Sequence, residues 1–111
     1  MDIHEERKDG FLILGLAGRL DAPSAKVFEE KILAVIDGGE SRFVIDLAQL
    51  DYVSSAGLRV FLLASKRLNP SGGKVALCAL QEAVKQVFDI VGFYSILSIS
   101  DSTDAALKSL A

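Results

Sequence analysis

The stretch that decides the fold is FVIDLAQLDYVSSAGL, residues 43–58. Its beginning belongs to an apolar segment, Arg42 to Leu47, that is typical of a short buried strand. A loop follows, and then a helix that opens with Ser54 and Ser55. Serine suits a helix start because its hydroxyl oxygen accepts a backbone N–H group that the helix leaves free. The stretch therefore predicts a strand, a loop and a helix that presents hydroxyl groups at its beginning.

Upstream of this stretch the residue pattern predicts a hairpin. Ile3 to Arg7 and Phe11 to Leu20 have the composition of strands, the second packed on both faces, and Lys8-Asp9-Gly10 has the composition of a tight turn. We expect the two strands to pair antiparallel at an edge of the sheet.

A helix is predicted from Ser24 onward by apolar side chains at the spacing of one helix face, namely Phe28, Ile32, Val35 and Ile36. Gly38-Gly39 ends this helix, and Pro23 suits its first turn, where a missing N–H group costs nothing. The cap residue is Asp21 or Ala22, and the carboxylate of Asp21 is a suitable acceptor for the free amides.

Downstream, the helix that opens with the serines is predicted to span Ser55 to Leu68, with Leu58, Phe61, Leu62 and Ala64 or Ser65 facing inward. Asn69 to Gly73 breaks it, and Lys74 to Leu80 follows as a strand. The next helix ends at Gly92 and carries an apolar stripe made of Val84, Val87, Phe88 and Val91.

A short strand at Ile96 to Ile99 and a helix capped by residues 101–104 and running toward Leu110 complete the chain. The predicted order is β-β-α-β-α-β-α-β-α. Strands separated by helices need crossover connections, so we expect an α/β fold with a mixed, mainly parallel sheet of about four or five strands and about four helices.

Composition indicates one domain covering residues 1–111, with 50% apolar and 24% charged residues and no apolar run long enough for direct membrane insertion. The charged N-terminus lacks the apolar segment of a secretory signal, so a cytoplasmic location is expected. Cys78 is a single cysteine, which excludes an internal disulfide, and is expected to be a buried strand residue. The net charge of −3, without clustered basic residues, argues against nucleic acid as a partner.

Catalytic chemistry has little support in the sequence. His4 is the single histidine and lies in an N-terminus that we expect to be flexible, so no nucleophile, base and acid can be assembled. Gly72-Gly73-Lys74 enters a strand instead of starting a helix, unlike a phosphate-binding loop. We therefore expect a protein that is not an enzyme and has no catalytic residue, cofactor or metal.

The chain resembles the STAS domains, and most closely the stand-alone bacterial anti-sigma factor antagonists. The resemblance covers essentially the full length. It is carried by Gly18-Arg19-Leu20-Asp21, by Val44-Ile45-Asp46-Leu47, by Leu50 in the predicted loop, and by Ser54-Ser55-Ala56-Gly57-Leu58, in the expected order of strands and helices.

The resemblance implies a partner switch. In such families the unphosphorylated antagonist binds an anti-sigma factor that is also an ATP-dependent serine kinase, phosphorylation breaks the complex, and a metal-dependent serine phosphatase of the PPM type restores it. The phosphorylated residue lies two positions before the motif glycine, which is Ser55 here, with Ser54 as the fallback. The family usually has aspartate immediately before the phosphorylated residue, whereas this chain has Ser54.

The predicted partner-binding residues surround this position: Asp21, Ser54, Ser55, Ala56, Gly57, Arg59 and Leu63. Arg59 and Leu63 are expected on the outer face of the helix. The amides of Ala56, Gly57 and Leu58 are expected to be free to bind phosphate oxygens.

The sequence is compatible with more than one role for some of these residues. Gly57 either allows a partner to approach closely or allows the helix to pack on the sheet. Asp21 either caps a helix or contacts the partner. Asp46 is expected to support the loop that carries the serines.

Two alternative functions use the same scaffold. Some small STAS proteins are subunits that dock on the ATPase of ABC-type lipid transporters. A partner switch could also control a target other than a sigma factor.

Overall fold

Strands and helices alternate in the predicted order, β-β-α-β-α-β-α-β-α, in the computed structural model, which describes residues 1–111. The strands are β1 (Asp2–Lys8), β2 (Phe11–Leu20), β3 (Arg42–Val53), β4 (Lys74–Cys78) and β5 (Ser98–Ser100). The helices are α1 (Ala22–Asp37), α2 (Ser55–Leu68), α3 (Glu82–Ile90) and α4 (Thr103–Leu110). Two 3₁₀ turns lie at Asn69–Ser71 and Phe93–Ser95.

All five strands form one sheet in the order β1-β2-β3-β4-β5. β1 and β2 pair antiparallel, and every other neighbouring pair is parallel. The parallel connections run through α1, α2 and α3, as crossover connections between parallel strands require. These observations confirm the predicted α/β fold with a mainly parallel sheet and an antiparallel edge hairpin.

The two faces of the sheet are covered unequally. A core of 24 buried residues lies between one face and helices α1, α2 and α3, whereas a second cluster of seven lies under α4. In the larger core, edge-to-face contacts join the three helices: the ring centroids of Phe28 and Phe61 are 5.3 Å apart, and those of Phe61 and Phe88 are 5.4 Å apart. Such pairs add roughly 0.5–1.5 kcal/mol each beyond their buried area. They hold α1, α2 and α3 together on one face of the sheet.

Strand β3 is longer than predicted, and this changes the position of Leu50. The strand continues to Val53 instead of ending at Leu47, so Leu50 is a fully buried strand residue and does not lie in a loop. The reason is β2, which pairs with β3 as far as Leu20 opposite Val53, although the register between the two strands shifts at two bulge-like irregularities. Backbone groups that are buried in a sheet need such partners, and a neighbouring long strand supplies them.

Other boundaries also differ from the predictions. β4 ends at Cys78 instead of Leu80 because Ala79 has a left-handed backbone, with φ of 60°. β5 spans Ser98–Ser100 instead of starting at Ile96, because the chain before it folds into the 3₁₀ turn. Val91 is exposed and lies beyond the end of α3.

His4 lies in β1, opposite Gly15 of β2, so the N-terminus is not the flexible segment that was expected. Cys78 is fully buried in β4, as predicted. None of the helices combines the length with the apolar character that crossing a bilayer requires.

Candidate functional site

The ends of β2 and β3 bring the predicted serine and aspartate residues together. Leu20 pairs with Val53, and the N–H of Ser54 donates a 2.8 Å hydrogen bond to the carbonyl oxygen of Leu20. Asp21 and Ser54 are therefore neighbouring N-cap residues, one for α1 and one for α2. We call the region formed by Asp21, Ser54, Ser55 and Arg59 the serine edge.

Ser54 is the N-cap of α2. Its backbone is extended, with φ of −89° and ψ of 170°, and its Oγ accepts a 3.2 Å hydrogen bond from the N–H of Gly57. The side chain is partly buried. The Ser54 hydroxyl therefore caps α2, because it accepts one of the backbone N–H groups that the start of the helix leaves free.

Ser55 is the first residue of α2 and is exposed. Its hydroxyl, in contrast to that of Ser54, takes part in no hydrogen bond within the protein. Of the two adjacent serines, Ser55 thus carries the accessible and unengaged hydroxyl group.

The amides available at the start of α2 are fewer than predicted. Gly57 donates to the Ser54 hydroxyl, and the N–H of Leu58 donates a 2.9 Å bond to the Ser54 carbonyl oxygen. Neither is free to bind an anion, which corrects the expectation for both residues. The amides of Ser55 and Ala56 remain without an acceptor in the helix, since the first turn offers none to them.

Gly57 is required for packing inside the molecule. A Cβ atom at this position would lie 2.6 Å from Cγ of Leu20 and 3.1 Å from Cγ2 of Val53. Gly57 is buried, so its missing side chain lets α2 approach the ends of the strands. Of the two roles left open by the sequence, helix–sheet packing is the one that this geometry supports.

Asp21 forms a capping box with Ser24. Its carboxylate accepts the N–H of Ser24 at 3.1 Å and the Ser24 hydroxyl at 2.8 Å, while the Asp21 N–H donates to the same hydroxyl at 2.9 Å. The hydrogen bond from the Ser24 hydroxyl, followed by that from its backbone N–H, lowers the pKa of Asp21 below its ordinary value. Asp21 is an ionised cap at the serine edge.

Asp46 lies away from the serine edge. Its carboxylate accepts a 2.9 Å hydrogen bond from the N–H of Ala48, within β3, and seven residues of the strand follow before Ser54. It lines a surface cavity with His4, Gly15 and other residues on the side of the sheet that bears α4. The predicted support of the serine loop by Asp46 is not what the structure shows.

Two predicted docking residues on α2 differ in exposure. Arg59 is exposed and belongs to none of the four ion pairs of the protein. Leu63 is half-buried instead of exposed. Ala56 is partly buried and packs against the larger core. Arg59 and Ser55 therefore present more surface than the apolar residues near them.

Sequence reasoning missed a contact beside the serine edge. The guanidinium carbon of Arg19 lies 4.1 Å from the centroid of the Tyr52 ring, and these residues are paired across β2 and β3. Tyr52 remains 39% exposed. The sequence shows a tyrosine two residues before the capping serine, but the contact with Arg19 could be predicted only if β3 was known to extend as far as Tyr52.

No cluster of three or more histidine, cysteine, aspartate or glutamate side chains able to hold a metal ion occurs in the structure.

Comparison with known protein families gives a match over residues 2–106, to the STAS domain. The chain belongs to the STAS domain family. One STAS relative is BtrV of Bordetella bronchiseptica, a proposed anti-sigma factor antagonist that is 43% identical over 106 residues, covering 96% of this chain and 91% of BtrV. Another is the anti-sigma-B factor antagonist of Bacillus subtilis, which is 30% identical, covering 97% of this chain and 96% of that protein.

Solved structures show the same fold at lower identity. A proposed anti-sigma factor antagonist of Thermotoga maritima matches with a TM-score of 0.91 at 22% identity, covering 97% of this chain and 93% of that one. The Bacillus protein SpoIIAA in its phosphorylated form matches with a TM-score of 0.75 at 17% identity, covering 99% of this chain and 100% of that one. The strand and helix order reported above is therefore that of the STAS fold.

Proposed function

We propose that this STAS protein is an anti-sigma factor antagonist in a partner-switching system. In its unphosphorylated form it binds an anti-sigma factor that is also a serine kinase, and phosphorylation of Ser55 releases it. A PPM-type phosphatase restores the binding form. The names of the relatives from Bordetella bronchiseptica and Bacillus subtilis support the antagonist role, and the solved phosphorylated form of SpoIIAA supports a phosphate-based switch on this fold.

One observation carries the assignment of Ser55. The chain has two adjacent serines at the start of α2, and the hydroxyl of Ser54 is engaged with Gly57 while that of Ser55 is exposed and unengaged. A kinase must bring the hydroxyl oxygen in line with the γ-phosphorus of ATP, which needs access and free rotation. Modification of Ser54 would also remove the cap of α2.

The chemistry of the switch is a simple phosphoryl transfer. The Ser55 Oγ attacks the γ-phosphorus, the bond between that phosphorus and the bridging oxygen of ADP breaks, and the serine proton passes to a base of the kinase. In the reverse direction, the phosphatase uses water to release inorganic phosphate and regenerate the serine hydroxyl. The antagonist supplies only the hydroxyl group.

A phosphate on Ser55 should change binding more than it changes the fold. It adds roughly −1.5 to −2 charge at neutral pH, and the helix start, with its free amides and partial positive charge, tolerates an anion. A partner that covers Ser55 with apolar or acidic groups would have to desolvate that phosphate. Each ~1.4 kcal/mol of that cost weakens binding tenfold.

The test is phosphorylation followed by site mapping. The native chain and the variants Ser55→Ala and Ser54→Ala are incubated with ATP and candidate anti-sigma factor kinases, and each intact mass is measured. We expect one phosphate on the native chain and on Ser54→Ala, and none on Ser55→Ala. A full equivalent of phosphate on Ser55→Ala would show that a residue other than Ser55 is modified.

Release is tested by binding. Native chain and a Ser55→Asp variant are titrated onto the anti-sigma factor in the absence of ATP, with Ser55→Ala as the uncharged control. The proposal requires that Ser55→Ala binds like the native chain and that Ser55→Asp binds more weakly. Equal affinities of Ser55→Asp and the native chain would show that charge at this position does not control binding.

A further inference from the structure

Arg59 is an exposed cation without an acidic partner, and it lies one helical turn beyond Ser55. Side chains four positions apart share one face of a helix, with Cβ atoms about 5–6 Å apart. A helical side chain also extends over the turn that precedes its own Cα. The guanidinium of Arg59 is therefore positioned to reach back toward the hydroxyl of Ser55.

Other basic side chains near or on α2 are placed differently. The Arg19 guanidinium lies over the Tyr52 ring, and Arg67 pairs with Asp37 at 3.4 Å. Lys66 lies in the last turn of α2, about 16 Å along the helix from Ser55. Arg59 is thus the cation of α2 that is both unpaired and adjacent to the serine.

None of the nearby acidic side chains forms an ion pair with Arg59. The carboxylate of Asp21 is held by Ser24, and Asp51 is exposed on the neighbouring end of β3. The first turn of α2 itself contains no acidic residue. No acidic side chain in the first turn of α2 therefore competes with a phosphate for the free amides of Ser55 and Ala56 or for the guanidinium of Arg59.

Resting on the proposed phosphorylation of Ser55, we propose that Arg59 forms an ion pair in cis with the phosphate on Ser55. The order, with the anion four residues before the cation, is the favourable one for a helix. A planar guanidinium matches two phosphate oxygens at once, which an ammonium group does not.

This pair gives Arg59 two states. In the unmodified chain the guanidinium is free to contact a partner, and in the phosphorylated chain it is held by the phosphate. The local charge at this face would change from about +1 to between roughly −0.5 and −1. Phosphorylation would then remove a binding cation as well as add an anion.

The test needs no kinase. Phosphoserine is incorporated at position 55 during translation, and its second pKa is measured by ³¹P NMR titration in the folded native chain and in an Arg59→Gln variant. Lys66→Gln is the matched control, because it removes the same charge from α2 beyond the Debye length of about 8 Å at physiological salt. Far-UV circular dichroism checks that all chains are folded.

We expect Arg59→Gln to raise the second pKa of the phosphoserine by roughly 0.3 unit or more, because loss of a cation disfavours the dianion. Arg59→Lys should recover part of the shift, and Lys66→Gln should cause none. Equal pKa values in Arg59→Gln and Lys66→Gln would overturn the pairing.

The titration can be carried out whether or not a kinase phosphorylates Ser55, so its result is separate from the test of the proposed function. If no kinase modifies Ser55, the phosphorylation experiment fails while the titration still reports whether Arg59 binds a phosphate there. A failed titration with successful phosphorylation would leave the switch intact and remove only the role of Arg59.

Discussion

The N–H of Ser54 donates a 2.8 Å hydrogen bond to the carbonyl oxygen of Leu20. This bond joins the last residue of β2 to the residue that caps α2, and the Leu20 side chain lies directly under the first turn of that helix. The position of Ser55 therefore depends on how Leu20 packs.

Gly57→Ala should destabilise the protein. Alanine normally favours a helix by about 1 kcal/mol over glycine, but here its Cβ would lie 2.6 Å from Cγ of the fully buried Leu20. Overpacking of this kind costs roughly 1–3 kcal/mol. Urea unfolding of the variant measures the loss.

A double-mutant cycle gives the control for this substitution. Leu20→Ala removes the two side-chain atoms that the new Cβ would approach most closely, so Gly57→Ala should cost less in that background than in the native chain. If Gly57→Ala is as stable as the native chain, the close packing at this position is not energetically important.

Replacement of the two serines should separate their structural roles. Ser54→Ala removes the acceptor of the Gly57 N–H and should lower the free energy of unfolding by about 0.5–2 kcal/mol. Ser55→Ala should change it by less than about 0.5 kcal/mol, because the exposed Ser55 hydroxyl bonds to nothing in the protein. Urea titrations compare the two, and equal losses would contradict the assignment of Ser54 as the cap.

Asp21→Asn should reduce stability at neutral pH and have a smaller effect in acid. The pKa of the Asp21 carboxyl is lowered in the folded chain, so the ionised form stabilises the fold above the unfolded value of 3.8. This contribution is lost as the pH falls through the lower folded pKa. Asparagine retains a capping oxygen and removes only the charge.

The measurement is urea unfolding of the native chain and Asp21→Asn near neutral pH and at about pH 2. We expect the difference in unfolding free energy to shrink at the lower pH. A difference that is the same at both pH values would assign the effect to the geometry of the cap instead of its ionisation.

The Cys78 thiol should react with Ellman's reagent only when the chain unfolds. Burial raises the pKa of this thiol, and the side chain is fully buried between β4 and α4. Both effects reduce the thiolate that a reagent can reach. The rate, followed across a urea titration, should rise along the unfolding transition, and rapid reaction of the native chain would contradict the burial. The urea-denatured chain serves as the reference for an accessible thiol.

Features that depend on neighbours in the chain were predictable. The capping aspartate, Asp21, and the limits of α2 at Ser55 and Leu68 follow from cap chemistry and apolar spacing, and the structure confirms them. The order of strands and helices also follows from local patterns, because each element has its own periodicity. These patterns were sufficient to predict a mainly parallel sheet with an antiparallel edge hairpin once crossover connections were required, whereas the order of the strands within the sheet was not predicted.

Features that depend on distant partners were not predictable. The extension of β3 to Val53 requires pairing with β2, and the role of Gly57 requires Leu20, which is 37 positions away in the sequence. Asp46 is close enough to support the serine loop only if the strand ends at Leu47, whereas β3 continues to Val53. The contact between Arg19 and Tyr52 also depends on the pairing of β2 with the extended end of β3.

The difference between Ser54 and Ser55 likewise depends partly on local sequence and partly on tertiary packing. Their adjacency at a helix start is a property of the chain, and so is the match of Ser55 to the family motif. Which hydroxyl is engaged and which is free is set by the direction in which β3 enters α2, because Leu20 holds the Ser54 backbone and thereby aims its side chain at Gly57. Local sequence specifies where a helix begins, but only packing against the neighbouring strand decides which side chain faces solvent.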